Sequence, residues 1–295
     1  MATVVGFISE KGGVGKTTAC YHIAVALTRY HQRRVLVADA DYQRGGITGR
    51  FFPELVESFD SGSIPGTTLY HKFQQLYGAV PLTPEVEIRT TSDNIDVLVA
   101  DPRLATVTTD KLPSTNNIKQ NSEALLSHLR RIDDVLKSLD TTYDYVLIDS
   151  HPEVSDVLRS IIYASQFCVS PVKLDRQSSI GVATIIGEIN NVNSDVEMMT
   201  KMLDQSFRDG DTMYAGAMGM MAREYGGGLK YSESIEFNRL RRTGGIFDAY
   251  VTEGDGLRLA AAERAPVYDV GGANAEKQSA QFRRLTEEFL ARCPA

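Results

Sequence analysis

At 295 residues with 42% hydrophobic side chains, the chain can bury a full core, and its length permits one large α/β domain or two of about 150 residues. A formal net charge of −7 and a pI near 5.3 argue against a protein that coats nucleic acid with its whole surface, so any polyanion site is confined to a local basic patch. Three cysteines, Cys20, Cys168 and Cys293, are odd in number and lack metal-type spacing, which fits a reducing, cytosolic compartment and not a disulfide framework.

The N-terminus opens on an apolar run, Val4 to Ile8, that ends before Glu10 and Lys11 and is too short for a signal-peptide core. No stretch approaches the about 18 apolar residues needed to span a bilayer. Short Val- and Ile-rich runs then alternate with segments of helical period. This predicts an α/β fold, a doubly wound, mostly parallel sheet with helices on both faces. Strands are expected at residues 3–8, 34–38, 95–99, 145–148, 167–170, 214–220 and 246–251. Between the third and fourth, Leu125, Leu129, Ile132, Val135, Leu136 and Leu139 recur at three- and four-residue steps. Arg130, Arg131, Asp133, Asp134 and Lys137 take the opposite face, so one amphipathic helix is expected on the sheet. Residues 51–89 read as turn-rich and irregular, yet Phe52, Tyr70, Phe73 and Tyr77 set them apart from a disordered linker. A second less regular zone covers 196–245, and every methionine except the initiator falls in it, beside Gly226, Gly227 and Gly228. Clustered methionine serves an adaptable partner surface or fills gaps in a core, the second use being commoner. With no clean boundary, repeat or low-complexity tract, residues 1–295 are expected to form a single domain.

The first expected strand runs through SEKGGVGKTT into a helical segment at 19–29, so Gly12, Gly13, Val14, Gly15, Lys16, Thr17 and Thr18 fall in a strand-to-helix turn. Glycines there let backbone N–H groups curl around phosphate oxygens, and the helix N-terminus adds positive potential. Lys16 is placed to neutralise the β- and γ-phosphates of ATP, and the Thr17 hydroxyl to ligate Mg²⁺. The strict P-loop pattern asks for glycine where Glu10 stands. Lys11 followed by two glycines is the deviant form of the motif, and in it the chain resembles the ParA/MinD family of P-loop ATPases. The resemblance implies that Lys16 grips the subunit's own nucleotide, while Lys11 crosses a dimer interface to the ATP of the other subunit. A cation supplied in trans would stabilise charge on the transferred phosphoryl group and make ATP the glue of a homodimer.

The second expected strand ends in Asp39, Ala40, Asp41, Tyr42 and Gln43, similar to the family's DxDPQ motif with Tyr42 where proline is usual. Carboxylates at the carboxyl end of a parallel strand face the ligand crevice. The resemblance makes Asp41 the residue that positions the attacking water and Asp39 a support for Mg²⁺ or the loop, with two solvated turn acids as the alternative. The strand at 145–148 ends in Asp149, a Walker B arrangement in which the carboxylate holds Mg²⁺ through a water. The family often continues with a small residue and two prolines. This chain reads Ser150, His151 and Pro152, with His151 as a helix-start residue or a group that tunes the region after the strand. Asp149, Ser150 and His151 are no hydrolase triad, because sequence neighbours at a strand end diverge in direction.

The likeness continues through residues 92–105 and 157–182 and through APVYDV with the closing helix of Phe282, Leu285, Phe289 and Leu290; it is loosest at 51–89 and 196–245. It implies a ParA-like partition ATPase, a cytoplasmic, nucleoid-associated dimer on Mg-ATP that binds DNA non-specifically. Hydrolysis would be stimulated by a cargo-bound, centromere-binding, ParB-like partner, and the N-terminal DNA-reading extension of some plasmid relatives is not expected. The candidate DNA contacts are Arg239, Arg241 and Arg242 with Lys230 and Arg258, directed at backbone phosphates. A solvated helix face is the alternative for these arginines, and Val251 to Asp255 stand where relatives often carry Ile-Pro-Arg. The closing helix mixes Arg283, Arg284 and Arg292 with Glu287 and Glu288, so its apolar stripe is expected against the body of the protein and not in a membrane. Relatives with the same chemistry position a protein cargo or act at a membrane. An iron–sulfur ATPase of the nitrogenase iron-protein type needs cluster cysteines near the dimer axis, and only Cys168 lies between the Walker B strand and the C-terminal tail.

Overall fold

The computed structural model describes residues 2–78, 84–139, 143–206, 210–243 and 245–295. The first half runs β1 (Thr3–Phe7), α1 (Lys16–His31), β2 (Val35–Asp39), three short helices α2 (Ile47–Phe51), α3 (Val56–Asp60) and α4 (Leu69–Leu76), then β3 (Ile88–Thr90) and β4 (Asp96–Leu98). Next come α5 (Ile118–Leu129), α6 (Arg131–Ser138), β5 (Tyr145–Asp149), α7 (Asp156–Ala164), β6 (Phe167–Val172) and the long α8 (Arg176–Leu203). The chain closes with β7 (Met213–Ala222), a hairpin of β8 (Glu224–Tyr225) and β9 (Gly228–Leu229), α9 (Tyr231–Arg242), β10 (Ile246–Thr252), α10 (Asp255–Glu263) and α11 (Ala273–Arg292).

Eight strands form one sheet in the order β10, β7, β6, β1, β5, β2, β4, β3, parallel throughout except where β3 meets β4. Alternation along each strand explains why the runs are apolar without a break. Val5, Phe7, Val35, Val37, Tyr145 and Leu147 face one core with α1 and α11, whereas Val4, Ile8, Leu36, Ala38, Val146 and Ile148 face the other with α4 to α8. Helices on both sides leave no polar face to the central strands. The central β1 lies between β5 and β6, and the crevice at the carboxyl ends of these strands is where an α/β sheet of this kind binds ligands.

Three expectations are modified. The single amphipathic helix expected over residues 125–139 is two, α5 and α6, joined at Arg130, because α5 packs on α7 and α8 while α6 turns to α7 and α4. Within 51–89 the described chain is largely helical: Thr68 and His71 form a capping box for α4, which buries Leu69 and Phe73. Within 196–245 it is also regular, carrying the end of α8, β7, the β8–β9 hairpin and α9; Gly226 and Gly227, at φ 63° and 84°, make the hairpin turn. Residues 79–83, 207–209 and 244 of these zones lie outside the described residues. The methionines divide: Met199, Met218 and Met220 are buried, whereas Met198 and Met213 are exposed.

The apolar stripe of α11 packs inward, with Phe282, Leu285 and Phe289 fully buried and Leu290 against them. The C-terminus is tied down as well: the Tyr145 hydroxyl donates to the Cys293 carbonyl and the Thr3 hydroxyl to the Pro294 carbonyl, both at 2.9 Å. Among the described residues no helix is long and apolar enough to cross a membrane. The three cysteines are buried.

Candidate functional site

Between β1 and α1 the chain makes a tight loop whose conformation depends on two glycines. Gly13 and Gly15 sit at φ 69° and 91°, in the left-handed region, and a Cβ at Gly15 would stand 3.2 Å from Met220 Cβ. Gly15 is also the N-cap of α1 and offers no side chain, and no acid occupies the first helical turn. The N–H groups of that turn therefore keep their capacity for an anion. Val14 is buried and anchors the loop from below. An open cleft follows, lined by residues 11–18 together with Asp41, Gln43 and Pro152.

Charge in the cleft is concentrated on Lys16, which is 6% exposed. Its Nζ donates to Asp149 Oδ1 at 2.8 Å and to the Ser150 carbonyl, and it lies 3.7 Å from Asp41 Oδ2. Burial opposes the charge on Lys16, but Asp149 and Asp41 outweigh it and hold the Lys16 pKa above its ordinary value. The parallel register brings these groups together, since β2 and β5 pair with Asp39 opposite Asp149.

Asp39 is fully buried and spends its oxygens on the loop. Oδ1 accepts from the Asp41 N–H at 3.1 Å, and Oδ2 accepts from the Thr48 N–H at 2.8 Å and the Thr48 hydroxyl at 2.7 Å. The Thr48 hydroxyl oxygen in turn accepts from the Ala100 N–H, which links the loop to the end of β4. Burial, then the neighbouring Asp149, push the Asp39 pKa up to about 7. Asp149 differs, because its Oδ2 is buried and has no hydrogen-bond partner among the described residues. The Thr17 hydroxyl is close enough to Asp149 to act on its pKa. A hydroxyl beside a carboxylate with an uncommitted oxygen fits Mg²⁺, which takes one or two carboxylates and completes its shell with water and substrate phosphates. No cluster of three or more His, Cys, Asp or Glu suited to a metal occurs among the described residues.

Lys11 stands apart, exposed on the rim, with its Nζ donating to Gln177 Oε1 at 3.0 Å. Two groups that the sequence reading did not count among site residues also lie here. Arg50 donates to the Thr18 hydroxyl at 3.0 Å, and no ion pair involves it among the described residues; burial lowers its pKa. His151, read as a helix-start residue or as a group that tunes the region after the strand, stands before the Ser155 N-cap of α7, lies 2.9 Å from Asp41 Oδ1 and stacks on Tyr42. The signal for that pair was present in the two motif departures, but nothing in one dimension says that they meet.

The five candidate DNA-contact residues lie on or beside two helices. Arg239, Arg241 and Arg242 share the last turn of α9, Lys230 caps its other end, and Arg258 lies on α10, which packs on α11. Arg239 pairs with Glu236 at 3.1 Å and Arg241 with Asp248 at 3.2 Å, while Arg258 lies near Glu253 and Asp255. Arg242 makes no ion pair among the described residues. The exposed pairs of Arg241 and Arg258 contribute roughly 0–1 kcal/mol each and exchange readily, whereas Glu236, the partner of Arg239, is buried.

A family model described as an AAA domain matches residues 2–202. The chromosome-partitioning ATPase Soj of Thermus thermophilus is 26% identical over 290 residues, a match covering 98% of this chain and 95% of that protein. An ATP complex of a McdA variant from Cyanothece superposes with a TM-score of 0.70 at 15% identity, covering 98% of this chain and 96% of that one. A putative plasmid partition protein from Borrelia burgdorferi, bound to AMPPNP, gives 0.64 at 17% identity, covering 99% and 100%. At such identities the two solved structures speak for the fold alone.

Proposed function

This chain belongs to the AAA-domain family and, within it, to the ParA/MinD group of deviant P-loop ATPases, and on that premise we propose that it is a Mg-ATP-dependent partition switch. In this reading a single domain binds ATP in the loop of residues 11–18, dimerises on it, holds DNA non-specifically, and lets go when a cargo-bound, ParB-like partner stimulates hydrolysis.

The observation that carries the reading is the buried Lys16, suspended between Asp149 and Asp41 at the mouth of a glycine loop whose helix end is uncapped. A lysine so placed exchanges carboxylates for phosphates when a triphosphate enters. Asp149 is then left for Mg²⁺ with Thr17, and Asp41 for the attacking water, while Asp39 holds the loop through Thr48. The exposed Lys11, whose Nζ donates to the neutral Gln177 amide, is placed to serve a facing subunit.

For DNA, the reading uses the last turn of α9. Its arginines exchange weak carboxylate pairs for backbone phosphates, so retention falls steeply with salt. The same pairing of Arg239 and Arg241 with acids favours a second reading, in which the cargo is a protein and the DNA surface is absent.

The test is light scattering and DNA co-sedimentation of the purified chain with ATP, ADP or no nucleotide at two salt concentrations. Dimers and salt-sensitive DNA retention with Mg-ATP alone support partition. Dimers without DNA retention support protein cargo, and retention on liposomes instead points to a membrane. A chain that stays monomeric at saturating Mg-ATP refutes the switch. Arg241→Ala combined with Arg242→Ala is expected to release DNA and keep ATPase activity, and unchanged DNA retention would remove the α9 patch.

A further inference from the structure

Tyr42 and His151, each standing where the family's nucleotide-site motifs usually carry proline, are distant in sequence and face each other beside Asp41. Their ring centroids are 3.8 Å apart and their planes 22° from parallel. His151 is 5% exposed, and its Nδ1 lies 2.9 Å from Asp41 Oδ1. An ionised carboxylate only accepts hydrogen bonds, so Nδ1 carries the proton of this pair. The Gln43 N–H reaches the same oxygen at 3.0 Å, whereas Oδ2 faces Lys16 at 3.7 Å. One oxygen of Asp41 is thus committed to the protein. The other is released when Lys16 turns to a phosphate.

We propose that His151, held in its plane by Tyr42, is a positioning residue that orients the Asp41 carboxylate toward the water attacking ATP. The inference rests on the ATPase reading above. In that hydrolysis a water oxygen bonds to the γ-phosphorus as the bond to the β,γ-bridging oxygen breaks. The bonding pair stays with ADP, and the protons of the water leave with inorganic phosphate and solvent. His151 exchanges no proton in this step; it fixes a direction. Two donors on Oδ1 remove the rotation of the carboxylate about its last bond, so Oδ2 presents its lone pairs to one place. Tyr42 restrains the imidazole in the same way, because an unsupported ring would swing and carry Nδ1 out of reach.

The experiment compares the full chain with Asp41→Ala, His151→Ala, His151→Asn and Tyr42→Leu. It measures affinity for a fluorescent ATP analogue with Mg²⁺ and the single-turnover rate of ATP hydrolysis. His151→Ala is expected to slow hydrolysis about 10- to 100-fold, with affinity unchanged within about twofold. His151→Asn restores an amide donor near the place of Nδ1 and regains most of the rate. Tyr42→Leu falls between, and carries the comparison should the alanine variant fail to fold. A His151→Ala chain that hydrolyses at the parental rate while Asp41→Ala does not overturns the inference and leaves the ATPase reading standing. Joint loss of affinity and rate, without rescue by asparagine, marks a structural residue and also overturns it. A parent chain that does not hydrolyse ATP brings down the ATPase reading and this inference with it, whereas a parent matched by Asp41→Ala overturns the role of Asp41 and with it this inference, and leaves the ATPase reading standing.

Discussion

Lowering the pH to about 5 is expected to cost the folded chain about 2 kcal/mol through His22 alone. This imidazole is fully buried on α1, stacked on Phe282 with centroids 4.5 Å apart. Its Nδ1 meets the Thr18 carbonyl at 2.8 Å and its Nε2 meets the Val267 N–H at 3.1 Å. One nitrogen must donate and the other accept, so the neutral ring fits and the protonated ring does not. Burial accordingly lowers the His22 pKa from 6.5 to about 3. The unfolded chain takes up a proton near 6.5 that the folded chain refuses until about 3. Stability from this group is therefore complete above 6.5 and lost progressively as pH falls below it. The gap between 6.5 and pH 5, at about 1.4 kcal/mol per pH unit, gives about 2 kcal/mol. His128, lowered to about 4 by burial, adds to the loss, whereas Asp39, raised to about 7, works against it by binding a proton in the folded state first. A comparison isolates His22: urea denaturation of the parent and of His22→Gln, each at pH 7 and pH 5. His22→Gln should lose about 2 kcal/mol less than the parent between the two conditions. Equal losses would refute the assignment of a neutral, proton-refusing His22.

Lys16→Ala is expected to abolish ATP binding, read by a fluorescent analogue. It should also destabilise the fold by about 3 kcal/mol in denaturant, because Asp149 is left buried without its counter-charge. Lys11→Ala and Asp41→Ala should bind ATP and hydrolyse it poorly; normal turnover by Asp41→Ala would end its role with the attacking water. Phe289→Ala removes a fully buried ring packed on Phe7 and Tyr145 and should cost about 3–5 kcal/mol by chemical denaturation. A loss below about 1 kcal/mol would mean that α11 does not complete the core.

The sequence by itself determined seven of the eight strands of the sheet, the glycine loop and the family, whereas the antiparallel edge strand β3 lies in the zone read as irregular. Central parallel strands read as unbroken apolar runs because both faces are covered, and the loop is legible because its glycines, lysines and threonines are contiguous, residues 11–18. Elements whose shape depends on neighbours were less legible. The stripe over 125–139 has one period but follows two packing partners, so it bends into α5 and α6, and α4 within 51–89 is set by a cap and two buried side chains. Tertiary structure alone decided the contacts across the crevice. Register between β2 and β5 set Asp39 opposite Asp149 beside Lys16, and the packed fold brought His151 to Asp41 across 110 positions and stacked it on Tyr42. Local periodicity governs which face a residue takes, whereas the partner it meets there depends on a pairing between distant strands that no local pattern encodes.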